Sequence, residues 1–400
     1  MTPEQEYAMR WFRDYYSRSA MPAPFDFTGR EFGFMFFDKD FVRRHVGFRS
    51  PEDLGRYLVS QVPMHVYYSS AHYENPSAPK MEQKGWRGAD LVFDLDADHI
   101  PGADKMSYEE MLYVVKQDMI RLLDDFLLGD LGFAENEVRI TFSGGRGYHA
   151  HVQSDRVQRL GSHERSEVVD FVSGTDLDFE WIFKERSSMK KEFKTGTKVE
   201  MSTLIPPEGS GGWKGKVRKR LSELMSEVET LGFEEAKQKY SAFARLNDRQ
   251  YFLLQQALGA DRSGKNGRQL ILENNSLEYI TDAKGKEALL QCVRDTVRVG
   301  AAAQVDEPVT RDIKRLIRLP GSLHGKTGMR VISMSRDDLT GFDPLRDAFP
   351  PIFPDTPQKV EVRSRVDLKL KGQRVYGEGV IEVPTFAAIF LALRYKARII

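Results

Sequence analysis

The chain has 400 residues, 40% hydrophobic and 30% charged, the balance of a globular protein long enough to bury its cores without covalent staples. Lysine plus arginine equals aspartate plus glutamate at 59 each, so net charge selects neither an acidic nor a basic partner and only local clusters inform. The single cysteine, Cys292, excludes an internal disulfide and a cysteine-based zinc site, and fits a reducing compartment.

The chain opens on MTPEQEYAMRWFRDYYSR, which predicts a helix. Thr2 and Gln5 have the spacing of a capping box, Pro3 takes the first helical position, and Trp11, Phe12, Tyr15 and Tyr16 share one face. No targeting segment is evident, so a cytoplasmic protein is expected. Residues 61–73, QVPMHVYYSSAHY, alternate as one strand. Residues 89–100, ADLVFDLDADHI, form the next: Leu91, Phe93 and Leu95 turn to the core, and Asp94, Asp96 and Asp98 to the other face. Ser107 and Glu110 begin a helix whose apolar positions run from Met111 to Phe126. VRITFSGGRGYHAHV, 138–152, reads as a hairpin with Gly144, Gly145 and Gly147 at its turn.

From about 160 to 290 the chain is charged, helix-prone and broken by PPEGSGG and GADRSGKNG, which predicts a mostly helical insertion over 161–290. A core of 1–160 with 291–400 is then discontinuous. VTRDIKRLIRL predicts a short amphipathic helix with Ile313, Leu316 and Ile317 inward, and MRVISMS a strand. FPPIFPDTPQ, 349–358, reads as a linker to a last small β/α piece, whose apolar run FAAIFLAL is too short to span a bilayer. There is no internal repeat.

Three segments can carry chemistry. The aspartates of the acidic strand suit hard divalent cations, and two such ions about 3.5–4 Å apart can clamp the attacking and leaving oxygens of a phosphoryl transfer. A solvated strand end would look the same. A calcium loop fails, because His99 stands where glycine is required and Lys105 where glutamate is. In SGGRGYHAHV the glycines let backbone N–H groups approach an anion, Arg146 can grip phosphate in two-pronged fashion, and Ser143 and His149 converge on the same turn. A tight ligand-free hairpin would also use those glycines, and His151 reads as structural. The third segment, 305–331, sets Asp306 before a cationic cluster with Arg315 and Arg318 on the predicted helix and His324 and Lys326 at a turn. GSLHGKT is no Walker A loop: Pro320 replaces the first glycine, and a strand follows. GADRSGKN ends in Asn266 and is discounted too. A further basic run, 211–220, would suit a nucleic-acid backbone or simply begin a solvated helix.

In this order the three segments resemble the small catalytic subunit of the archaeal/eukaryotic-type DNA primase. VFDLDADH looks like that family's D-x-D strand, SGGRGYH like its S-G-x-R-G-x-H motif, and DIKRLIRLPGSLHGKTG like its third signature. REFGF and YYSSAHYENP upstream also fit, and the resemblance covers about 25–350. It implies an α+β primase–polymerase catalytic core with a mixed sheet and an inserted helical subdomain. It implies template-directed synthesis of short primers, of RNA with DNA left open, from nucleoside triphosphates by two-metal nucleotidyl transfer with Mg²⁺ or Mn²⁺. Asp94, Asp96 and Asp306 match the metal-binding carboxylates; Ser143, Arg146 and His149 match the nucleotide-phosphate motif; His324 and Lys326 match the triphosphate-contacting positions. Arg30 and Tyr68 are weaker matches, and Asp98, His99, Arg315 and Arg318 take supporting roles. The implied partners are a primase large subunit, a single-stranded DNA template and nucleoside triphosphates, with no membrane.

The sequence departs from the family in two places. IPGADKMSYEEM, after the acidic strand, has no cysteine where many archaeal members carry a zinc knob, so structural zinc is not expected. Gly145 stands where a eukaryotic member has another basic residue, which shifts the phosphate grip towards backbone and Arg146. Two alternatives differ in kind: a primase-like repair polymerase, told apart by priming without a 3′ end, and a non-catalytic single-strand-binding scaffold, which would be expected to lack one of the three carboxylates.

Overall fold

The acidic strand forms where the alternation puts it, at Leu91–Asp96, with Leu91, Phe93 and Leu95 buried. The structure is a computed structural model. It describes residues 1–400 apart from 101, 194–195, 261–263, 265 and 303, with backbone alone at 99, 188–193, 196–200, 300 and 301. The His99 side chain as a supporting group, and half of GADRSGKN, therefore lie outside the described residues.

The chain divides into two units, Met1–Val169 with Ala303–Ile400, and Asp170–Ala302. In the first, a four-stranded sheet runs in the order Ile332–Met334, Val138–Phe142, Gly147–Val152, Leu91–Asp96. The predicted hairpin is its centre, and its return strand lies antiparallel to the acidic strand with Asp94 opposite His149 and Asp96 opposite Gly147. The helix Tyr108–Arg121 packs on these strands through Leu112, Val115 and Met119, after the capping box of Ser107 and Glu110. A second four-stranded sheet has the order Leu316–Arg318, His65–Ser69, Phe32–Met35, Val42–Val46. The α+β expectation holds. A mixed sheet does not: every strand pair among the described residues is antiparallel, because each helical crossover (Leu91–Asp96 to Val138–Phe142, and Val42–Val46 to His65–Ser69) joins strands that a third, antiparallel strand separates.

Two elements differ from expectation. The single strand over 61–73 breaks into His65–Ser69 and Ala71–Tyr73, in different sheets. At the break the Ser70 carbonyl accepts from Arg30 Nη1 at 2.6 Å and from the Asp90 N–H at 2.9 Å. The amphipathic helix over 309–319 is not formed. A short helix, Glu307–Arg311, stops at Asp312, and Leu316–Arg318 is a strand whose residues face Ser69, Tyr68 and Tyr67. Pro320 disfavours helix just upstream, and ladder pairing outweighs weak helical spacing.

After Pro350, the strands Pro357–Leu370 and Gln373–Pro384 form a long hairpin, followed by the helix Thr385–Tyr395, whose first eight residues are all buried. This helix packs against the N-terminal helix Pro3–Arg18. Among the described residues no helix is long and apolar enough to cross a membrane.

The second unit has its own core, with Val217, Leu221, Leu224 and Met225 of Gly212–Thr230 beside Leu254 and Val293. It is not helical throughout, since Lys184–Phe193 pairs with Gly196–Leu204. The helix Ala283–Ala301 runs across the expected return at 291. Cys292 is buried within it. In the basic run, Arg218 is spent on the Pro206 and Leu272 carbonyls and Asn275, and Arg220 on Thr296, Glu227 and Tyr240. Those two arginines hold the unit together instead of facing a ligand.

Candidate active site

A pocket of about 350 Å³ opens in the first unit, where the acidic strand, the glycine turn and the third segment meet. Asp94 and Asp96 form its acidic wall, with side chains 22% and 34% exposed. Like charges two residues apart on one strand face repel, and the turn and return strand set Arg146 and a histidine against them. His149 Nε2 lies 3.2 Å from Asp94 Oδ1, and Arg146 Nη2 lies 3.5 Å from Asp96 Oδ1. Asp98 lies past the end of the strand and does not line the pocket. Its N–H donates to Asp96 Oδ1 at 3.2 Å, which starts the turn Ala97–His99, and its carboxylate pairs with Arg146 at the surface. Asp306 lies beside the acidic strand, its N–H donating to the Asp94 carbonyl at 2.9 Å.

The glycine turn is held from three sides. Ser143 Oγ accepts from the N–H groups of Gly145 and Gly147 at 3.3 and 3.2 Å, so those two do not form the expected anion nest. Tyr108 Oη donates to the Gly145 carbonyl at 2.6 Å, and Thr327 Oγ1 to the Gly144 carbonyl at 2.5 Å. Gly144 has φ +77°, and a Cβ there would meet the His324 Cβ at 2.7 Å. Glycine is required at this position both for its backbone and for the close approach of the third segment.

The opposite wall is basic. Arg315, Arg318, His324 and Lys326 all line the pocket, Arg315 just before a strand, Arg318 on it and the other two at a turn, none of them on a helix. Arg318 Nη1 lies 2.5 Å from His65 Nδ1, and its guanidinium sits 5.2 Å from the centre of the Tyr67 ring. Burial first, then Arg318 and Lys326, holds the His65 imidazole well below its usual range, so it stays neutral and accepts from Arg318. Burial and Arg318 do the same to His324. Its Nδ1 lies 3.3 Å from the Lys326 N–H, which leaves the proton on Nε2, beside Gly145. His151, one pair of positions beyond His149, is buried and pushed down to about 3 by that burial and by His149; its ring stacks parallel to Tyr68.

Of the expected residues, Asp94, Asp96, Ser143, Arg146, His149, Arg315, Arg318, His324 and Lys326 line one pocket. Arg30 and Tyr68 do not. Arg30 is fully buried, ion-paired to Asp90 at 2.8 Å and bonded to three carbonyls, and Tyr68 is enclosed beside His151. Sequence reasoning missed Tyr67, Thr327 and Arg394, which line the pocket. Tyr67 and Tyr68 point to opposite faces, so choosing between them was a question of parity. Thr327 directly follows Lys326 and was open to inspection. Arg394 ends an apolar helix that reads as core, with no local signal. Among the described residues no three histidine, cysteine or carboxylate side chains form a metal cage as they stand.

A family model described as DNA primase small subunit matches residues 93–336, more than half of the chain. A DNA primase small subunit PriS of Methanocella arvoryzae is 42% identical over 395 residues, covering 96% of each chain. That of Methanosarcina barkeri is 40% identical, covering 96% of this chain and 94% of its own, and that of Halorubrum lacusprofundi is 37% identical, covering 98% and 97%. Among solved structures, the polymerase domain of Mycobacterium tuberculosis Ligase D in complex with DNA aligns over 85% of each chain at a TM-score of 0.34 and 12% identity. With motifs, pocket and relatives in agreement, the chain belongs to the DNA primase small-subunit family.

Proposed function

We propose that the pocket between the acidic strand and the glycine turn is where this primase joins nucleotides. Family membership makes the chain a nucleotidyltransferase of replication priming and implies divalent-metal chemistry. The observation that carries the assignment is the convergence of two partly exposed carboxylates and a wall of cations on one pocket. The 3′-oxygen of a growing strand would attack the α-phosphorus of a nucleoside triphosphate; a phosphodiester forms, the bond to the bridging oxygen breaks, and pyrophosphate leaves.

Asp94, Asp96 and Asp306 fit as holders of two Mg²⁺ or Mn²⁺ ions. Their donors are all oxygen, as these hard cations prefer. The lack of a complete protein cage also fits, because such ions keep several waters and take ligands from substrate phosphates. Bound there, they would lower the pKa of the 3′-hydroxyl and neutralise the triphosphate. The protein's own part is electrostatic and positional. Arg146 would exchange its carboxylate partners for phosphate oxygens. His324 would donate from Nε2, and Lys326, Arg315 and Arg318 would stabilise charge on the leaving pyrophosphate. Ser143 would fix the glycine turn, and His149 would hold Asp94. The further partners in this reading are a large subunit, a single-stranded template and nucleoside triphosphates, in the cytoplasm.

The test is incorporation of labelled ribo- or deoxyribonucleotides on single-stranded template with Mg²⁺ or Mn²⁺, with and without an annealed primer. Incorporation is expected, and Asp96→Ala should abolish it while melting within a few degrees of the parent. Normal incorporation by a folded Asp96→Ala protein overturns the assignment. Incorporation confined to primed template would point to a polymerase that needs its partner to begin.

A further inference from the structure

A second cavity, about 690 Å³, adjoins the pocket in the same unit and shares Lys326 and Arg394 with it. Its other cations are Arg363, Lys396 and Arg398, and Glu4 is its one acid among the described residues. Arg363 stands on the strand Pro357–Leu370, and Arg398 on the strand Arg398–Ile399 that pairs with it at Val360 and Glu361. Lys396 caps the helix that carries Arg394. Lys326, Arg363, Lys396 and Arg398 are exposed, and among the described residues none of the five cations forms an ion pair. Five unneutralised cations against one acid repel one another unless an anion is present.

We infer that this groove binds the phosphodiester backbone of single-stranded nucleic acid where it leaves the catalytic pocket, an inference that rests on the pocket being the nucleotidyl-transfer site. A triphosphate is compact and would already meet Arg146, Arg315 and Arg318 in the pocket. The groove's cations instead come from a turn, two strands and a helix end around a cavity twice as large, which suits a chain of regularly spaced phosphates. Met64 and Leu393 add apolar wall against which sugars can rest.

The test uses the full chain carrying Arg363→Ala with Arg398→Ala, two residues that line the groove and not the pocket. Binding of a fluorescein-labelled single-stranded oligonucleotide is read by anisotropy across a salt series without metal. Affinity should fall roughly five- to tenfold, and the slope of log K against log salt should flatten by about 1.4, at ~0.7 per lost phosphate contact. On saturating primed template the nucleotide KM should stay within about twofold and kcat should hold, while the KM for template rises. Arg363→Lys with Arg398→Lys keeps the charges and should keep the slope. An unchanged affinity and slope in the alanine variant overturns the inference. A raised nucleotide KM with unchanged oligonucleotide binding also overturns it, and gives the groove to triphosphate; tripolyphosphate would then bind the parent and not the variant. Failure of the catalytic assignment is separate, because it is read by incorporation with Asp96→Ala.

Discussion

Arg30 and Asp90 are both fully buried and ion-paired, and neither faces the pocket. His72 bridges Asp90 at 3.0 Å and Asp26 at 2.8 Å, so the cluster ties the two halves of the broken strand to the acidic strand's entry. Removing Arg30 would leave a buried carboxylate without its main partner. Arg30→Met should therefore cost about 3–5 kcal/mol in urea unfolding. A loss below about 1 kcal/mol together with lost activity would return Arg30 to the site. Burial alone would raise the Asp90 pKa, but the hydrogen bond from His72 and the charge of Arg30 outweigh it and hold it below the ordinary carboxylate range. With a depressed folded pKa, the contribution of Asp90 is full above its unfolded value of about 3.9 and fades as pH falls through the lower folded one. Asp90→Asn should accordingly flatten the fall of melting temperature with acid below about pH 4, a slope measurable by calorimetry. The tyrosine pair gives a functional contrast. Tyr67 supports Arg318 through its ring, an interaction worth about 0.5–2 kcal/mol, so Tyr67→Leu should raise the nucleotide KM roughly two- to thirtyfold. Tyr68→Phe removes a hydroxyl whose contact with His151 is long, at 3.5 Å, and should leave KM unchanged.

The glycine turn shows what an element adds to its residues. Strand, turn and strand were legible, because Ile140, Phe142, Tyr148 and Ala150 are apolar around a glycine cluster and all four are buried. The clamp was not legible: Tyr108 and Thr327 reach the turn from 37 and 183 residues away, and sequence patterns report only short separations. Each clamp is one hydrogen bond, worth about 1 kcal/mol net. Tyr108→Phe and Thr327→Val should each raise the nucleotide KM about fivefold at near-constant kcat, and together more than either alone. An unchanged KM in the double variant would mean that Ser143 alone sets the turn. The misread segment 309–319 fails for the same reason of range. Its 3–4 spacing is real, but the decisive partner is the strand at Tyr67–Ser69, and that pairing is what turns Arg315 and Arg318 into the pocket. The hairpin at 184–204 was hidden differently, since KERSSMKKEF offers almost no apolar alternation to read.

At the scale of the first unit, the C-terminal segment is both structural and part of the site. The family model ends at 336, and the residues after 355 gave little at the level of sequence. Yet Phe386, Ile389, Phe390 and Leu391 are fully buried in the closing helix, and Arg394 at its end lines the pocket. Burying four such side chains contributes on the order of 6–12 kcal/mol, at roughly 1.5–3 each. That is the size of a whole domain's margin, about 5–15 kcal/mol. A chain ending at 354 should therefore lose cooperative unfolding even though all three motifs are intact, seen as a broad thermal transition and an exposed-core dye signal. Arg394→Ala in the full chain separates the helix's two roles: it should melt with the parent, yet bind nucleotide severalfold more weakly, because it removes a pocket cation stacked 4.7 Å from the Tyr108 ring and none of the buried apolar surface. A truncated chain that unfolds sharply at the parent's temperature would show that the motif-bearing sheets hold themselves together, and that the helix serves only to deliver Arg394.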